Sequence, residues 1–114
     1  MTRKFVMLPE FDRNWSSMRL NDNDLHRLQE ELLFNPEKGD VMQGTGGLRK
    51  LRFAFEGKGK SGSVRVCYVD FAIYESIYLI TAYPKSEKDN LSKSERNSIA
   101  KVIKALESAL SEKE

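Results

Sequence analysis

The sequence predicts one α+β domain, an antiparallel sheet packed by helices on one face, in the order β-α-α-β-β-β-α. Three observations predict it. Apolar residues recur at helical spacing through the first third of the chain, alternate with polar ones from Leu48, and return to helical spacing after Ser92-Lys93-Ser94-Glu95. A length of 114 residues suits one domain, so residues 1–114 are read as a single unit.

Lys4-Phe5-Val6-Met7-Leu8 reads as an opening strand that ends at Pro9, which has no N–H to give a ladder. Phe11, Trp15 and Met18 follow at i, i+4 and i+7, one face of a helix. Asn21 is placed to cap a second helix, with Asp22 and Asp24 in the first turn, where carboxylates suit the macrodipole. Leu25, Leu28 and Leu32 form its apolar stripe, and Asn35-Pro36 stops it.

From Leu48 the period becomes two. Leu51, Phe53 and Phe55 alternate with Lys50, Arg52 and Ala54, giving one apolar and one basic face. Gly57-Lys58-Gly59-Lys60-Ser61-Gly62 makes a hairpin loop, and a second strand runs from about Ser63 to Ala72. A turn near Tyr74-Glu75-Ser76 leads to a third strand, Ile77 to Tyr83, closed by Pro84. Short connections make these an antiparallel meander. The last helix carries Ile99, Val102, Ile103, Leu106 and Leu110 on its apolar face. The helices are expected to cover the Leu51/Phe53/Phe55 face, leaving Lys50, Arg52 and Arg65 open to a ligand.

Composition excludes several chemistries. Cys67 is the lone cysteine, so no internal disulfide forms and a reducing compartment is expected. Its setting, Val66-Cys67-Tyr68-Val69, is that of a small buried hydrophobe. His26 is the sole imidazole and reads as a surface histidine beside the leucine stripe. One Cys and one His cannot build a zinc site, and the meander strands offer only Glu56 and Asp70 where a two-metal nuclease needs clustered carboxylates. No metal and no cofactor is therefore expected. Gly59-Lys60-Ser61 resembles the end of a Walker motif, but Ala54 stands where its first glycine belongs. Gly44-Thr45-Gly46-Gly47 reads as tight turns entering a strand. The N-terminal apolar run is too short for a signal peptide, and no stretch approaches the roughly 20 apolar residues of a membrane helix. The expected location is the cytoplasm, with no membrane partner.

Charge is distributed unevenly. The chain carries only +2, yet Arg49, Lys50, Arg52, Lys58, Lys60 and Arg65 face Glu56 alone within residues 49–68, whereas the segments on either side are slightly acidic. A basic segment on a sheet is the footprint of a phosphate-binding surface, or else a solvated hairpin. Lysines, arginines and nearby tyrosines suffice for RNA scission. A base takes the proton of a 2′-OH, the oxygen attacks the adjacent phosphate, and cations stabilise the phosphorane. Arginine grips two phosphate oxygens with its planar fork. Lysine acts as base only if its pKa falls from ~10.4 toward neutrality, and crowding by Arg49, Arg52 and Arg65 pushes that way.

The run Gly39-Asp40-Val41-Met42-Gln43-Gly44-Thr45-Gly46-Gly47-Leu48-Arg49-Lys50-Leu51-Arg52, the Gly57–Gly62 loop, the strand bearing Arg65 and Tyr83-Pro84-Lys85-Ser86-Glu87-Lys88 together resemble the HigB branch of the RelE/ParE toxin superfamily. The resemblance runs from the opening strand to the last helix, and Gly-Thr-Gly-Gly-Leu-Arg-Lys is its most specific part. It implies a RelE-like fold and a bacterial toxin held inactive by a cognate antitoxin. It further implies a metal-free endoribonuclease that enters the ribosomal A site and cuts the bound mRNA. Lys50 and Arg52 match the family's basic pair on the first meander strand, and Arg65 its phosphate-binding arginine. Lys85 lies where a further basic residue follows the last strand, and Tyr83 is a stacking or hydrogen-bonding group. Arg49, Lys58 and Lys60 would contact RNA or the ribosome. Ser86 stands where RelE has an arginine, and Leu91 and Ser92 stand where it has a tyrosine. ParE-like members resemble the same architecture but poison DNA gyrase; the Lys50, Arg52, Arg65 and Lys85 set favours the nuclease. A plain RNA-binding module would present exposed aromatics where these cations stand.

Overall fold

A computed structural model describes residues 2–54 and 63–113 of the chain. Phe55, Glu56 and the Gly57–Gly62 loop with Lys58 and Lys60 lie outside the described residues. The elements are β1 (Lys4–Met7), α1 (Pro9–Ser17), α2 (Asp22–Phe34), β2 (Asp40–Val41), β3 (Arg49–Ala54), β4 (Ser63–Phe71), a single 3-10 turn (Ala72–Tyr74), β5 (Ser76–Pro84) and α3 (Lys93–Glu112). All five strands join one sheet in the order β1-β5-β4-β3-β2.

Local signals set the helix boundaries. Pro9 opens α1, where its missing N–H costs nothing. Asn21 and Asp24 form a reciprocal capping box at the start of α2, and Ser92 and Glu95 do the same for α3. Each satisfies backbone N–H groups that a helix start leaves without partners. The β3–β4–β5 meander is antiparallel as expected.

Two features depart from the expected architecture. The sheet is mixed rather than antiparallel throughout, because β1 lies parallel to β5, from Lys4 beside Ser76 to Met7 beside Leu79. β5 is the outer strand of the meander, and β1 covers the first half of that edge. Arg3 reinforces the arrangement by reaching over to Asp70 on β4, with contacts at 2.9 and 3.4 Å.

The helices also occupy both faces rather than one. α1 and α2 bury Phe11, Trp15, Leu28 and Leu32 against Leu51, Phe53, Val66, Tyr68 and Leu79. α3 packs on the opposite face, burying Ile103 with Leu48, Cys67, Val69, Phe71 and Ile80. The cause is in β4 and β5, which are central strands with apolar side chains on both sides and so need two covers. A bulge helps to place them: Cys67 pairs with Thr81 and Tyr68 with Leu79, which leaves Ile80 as the extra residue. The face shared by Lys50, Arg52 and Arg65 is thus covered by α3 at its Val69/Phe71 end. The basic residues stand at the other end.

Candidate functional site

The glycine-rich run is the mechanical base of the site. Gly44, Gly46 and Gly47 have φ of +74°, +76° and +110°, which side-chain-bearing residues rarely adopt. The chain folds back so that Met42 N–H donates to the Leu48 carbonyl at 2.8 Å. Thr45, fully buried, closes the turn: its hydroxyl donates to the Met42 carbonyl and accepts from Leu48 N–H at 3.1 Å. Gly39 packs so tightly that a Cβ there would lie 2.9 Å from the Tyr68 ring and 3.0 Å from the Lys50 carbonyl. These contacts start β3 in the register that pairs Lys50 with Cys67 and Arg52 with Arg65.

Arg52, Arg65 and Tyr83 form a row across three strands, since Arg65 is also the cross-strand partner of Tyr83. Lys50 begins the adjacent row. Arg52 is exposed and Lys50 half-buried. Lys85 follows β5, exposed, with its backbone N–H donating to the Ser63 carbonyl at 3.2 Å. The Asp89 carboxyl is held below its ordinary pKa, first by the hydrogen bond from Arg65 and to a lesser degree by the charges of Lys50 and Lys85.

Arg65 differs from the open residue expected. Its side chain is 3% exposed, and its guanidinium donates to Asp89 at 2.7 Å and to the Ser63 hydroxyl at 3.3 Å. Strand pairing on both flanks and the segment after β5 enclose it. Tyr83 is buried as well, so its ring cannot stack on a base in this conformation. Its hydroxyl approaches the Asp89 carbonyl at 3.5 Å, and Lys88 lies over its ring at 5.1 Å. Burial, before any charge effect, raises the pKa of the Tyr83 hydroxyl. At neutral pH it is a donor and not a base.

Arg49 does not join the cluster. It lies opposite Tyr68, on the α1/α2 face, and its guanidinium donates to the Glu37 and Gly39 carbonyls at 3.1 and 2.7 Å. It fastens the segment before β2, on the sheet face opposite Lys50. Two residues not foreseen from the sequence do join. Asp89 holds Arg65, and Asn90 accepts a hydrogen bond from the Lys50 ammonium. They sit in a loop far along the chain from their partners, so no local pattern marks them. His26 is exposed and 2.8 Å from Glu30 one helical turn on, a surface pair away from the site. Among the described residues no three His, Cys, Asp or Glu side chains gather as metal ligands, and no helix is long and apolar enough to cross a membrane.

Residues 4–114 match the family model described as the RelE toxin of the RelE/RelB toxin–antitoxin system. Fold and match together define a toxin of the toxin–antitoxin class. The chain belongs to the RelE toxin family. Among solved structures it is similar to the free E. coli toxin RelE carrying two arginine-to-alanine substitutions, with a TM-score of 0.51 and 15% identity over 78% of this chain and 90% of that one. It is also similar to a chain of the intact E. coli RelBE toxin–antitoxin complex, with a TM-score of 0.52 and 15% identity over 74% of this chain and 96% of that one. At this identity the likeness concerns the fold, and it agrees with the α+β architecture above.

Proposed function

We propose that this toxin is a ribosome-dependent endoribonuclease of the HigB-like branch, cutting translated mRNA in the A site by metal-free attack of a 2′-OH on the adjacent phosphate. The observation that carries this reading is the Arg52–Arg65 pairing on one sheet face, flanked by Lys50 and Lys85. Four cations from three segments, β3, β4 and the residue after β5, thus lie around the Arg52–Arg65 pair, and an RNA phosphate would bind among them. Arg52 and Arg65 would hold the phosphate and stabilise the charge that develops on it. Lys50 and Lys85 would add charge, and the Tyr83 hydroxyl, protonated at neutral pH, would contribute a hydrogen bond. Among the described residues the one carboxylate of the cluster, Asp89, is engaged by Arg65, which favours a reaction that relies on the ribosome to align the 2′-OH with the phosphate. Such alignment is worth about 7–11 kcal/mol. Lys58 and Lys60 would extend the contact with RNA.

The partners in this reading are the ribosome, its mRNA and a cognate antitoxin, and the setting is the cytoplasm. The antitoxin is supported by the family, whose model is described as part of a RelE/RelB system. Induction of the toxin in growing cells, with and without the neighbouring small reading frame, tests the proposal. Growth arrest with new mRNA 5′ ends at codons under translation, suppressed by the neighbour, is the expected result. Arrest with gyrase-dependent DNA breaks and intact mRNA would place the chain with the ParE-like poisons instead.

A further inference from the structure

Buried Arg65 and half-buried Lys50 of the basic face are held by consecutive residues of one loop. Asp89 takes Arg65 at 2.7 Å, and Asn90 takes Lys50. The loop is anchored at both ends. Glu87 N–H donates to the Pro84 carbonyl at 3.0 Å before it, and Leu91 is buried in the α3 core after it. Lys88 is tied to Glu95 of α3 at 2.5 Å. Among the described residues, the Asp89-Asn90 tip holds both of these cations.

Burial within the Arg65–Asp89 pair is unequal: the arginine side chain is 3% exposed and the aspartate 63%. A buried guanidinium left without a partner is strongly disfavoured, whereas an exposed carboxylate rehydrates readily. A site of that kind exchanges one anion for another. One Asp89 carboxylate oxygen accepts from Arg65 Nη2, a place that a non-bridging oxygen of a phosphodiester can take. Asn90 likewise presents to Lys50 a carbonyl oxygen in place of a phosphate oxygen.

We propose that the Asp89-Asn90 tip is a latch that closes the phosphate site of the free toxin, its carboxylate occupying the position of an RNA phosphodiester, which must displace it to bind. This rests on the reading of the basic face as an RNA site, though not on cleavage. Closed molecules do not take RNA, so the apparent affinity is reduced by the fraction that is open. Releasing the latch restores it.

The test is fluorescence anisotropy with a short 2′-O-methyl RNA, which binds phosphate sites but offers no 2′-OH to react. Wild type is compared with Asp89→Ala, Asp89→Asn and Glu87→Gln at one low ionic strength. Glu87→Gln removes one negative charge from the same loop and serves as the charge control. Asp89→Ala is expected to lower Kd about tenfold, Asp89→Asn, which keeps a neutral acceptor for Arg65, by less but more than Glu87→Gln, and Glu87→Gln by no more than about twofold, with all four proteins melting cooperatively. Weaker binding by the Asp89 variants would overturn the latch and make Asp89 a positioning residue for Arg65. Equal tightening by Glu87→Gln would reduce the effect to net charge, and no binding by any protein would remove the phosphate site itself. If the Asp89 variants bind more tightly while wild type cuts no ribosome-bound message, the latch stands and the nuclease reading fails.

Discussion

Arg52 and Arg65 face one another directly across the β3–β4 ladder, two guanidinium side chains on the same face of the sheet. Like charges in that relationship oppose pairing. Asp89 neutralises Arg65 from one side, and Arg52 remains exposed. A sheet built for stability alone would place a β-branched residue at position 52.

Arg52→Thr is therefore expected to stabilise the fold slightly, by about 0.2–1 kcal/mol, and to cut cleavage of ribosome-bound mRNA by roughly 100- to 1,000-fold. Urea unfolding alongside primer extension gives both numbers. A variant that loses stability and keeps full activity would remove Arg52 from the site. Arg65→Ala is a poorer probe, because truncating a buried arginine sacrifices packing as well as charge.

Tyr68 joins the segment before β2 to the sheet. Its fully buried hydroxyl accepts from Gly39 N–H at 2.9 Å and donates to the Pro36 carbonyl at 2.7 Å. Tyr68→Phe leaves both backbone groups without that partner, at about 1–3 kcal/mol for each that water cannot reach. Gly39→Ala is expected to cost about 1–3 kcal/mol through the 2.9 Å approach of its Cβ to the same ring. Thermal denaturation measures both. An unchanged melting temperature in either variant would refute this role for the contact.

The helices and the meander were legible in the sequence because their signals are local. Asn21 and Ser92 begin helices as their side chains dictate, and Lys50, Arg52 and Arg65 share the face that alternation assigns them. The position of α3 was not local information. The apolar side chains of Cys67, Val69 and Ile80 already implied that the second sheet face needs a cover, yet it was expected to stay open. The parallel seat of β1 beside β5, and the reach of Asp89 to Arg65 and of Asn90 to Lys50, depend on chain folding over long separations. Residue type and spacing carry no trace of such contacts.

Cys67 lies fully buried under α3, and burial pushes its thiol pKa up to about 12. At pH 8 it is protonated and enclosed, so a disulfide reagent such as DTNB should leave the native protein unlabelled and titrate one thiol in guanidinium chloride. Rapid labelling of the native toxin would contradict the packing of α3.

Glu95 has its carboxyl pKa held below the ordinary 4.5, first by the Lys88 ammonium and then by the Ser92 backbone N–H. A depressed folded pKa contributes stability that is present above the ordinary value and is lost as pH falls through the folded one. Glu95→Gln keeps the capacity to cap α3 but loses the charge. Its melting temperature should lie below that of wild type at pH 7 and approach it by pH 3. A gap that stays constant with pH would show that the charge of Glu95 plays no part.

Cleavage kinetics with purified components bear most directly on the proposed activity. Toxin is mixed with 70S ribosomes carrying a defined mRNA codon in the A site, and in parallel with the same mRNA free in solution. Wild type should cut the ribosome-bound message between nucleotides of the A-site codon and cut free RNA at least ~1,000-fold more slowly, the alignment of the 2′-OH being supplied by the ribosome. Equal rates on free and ribosome-bound RNA, or no cleavage of either by toxin freed of its antitoxin, would contradict it.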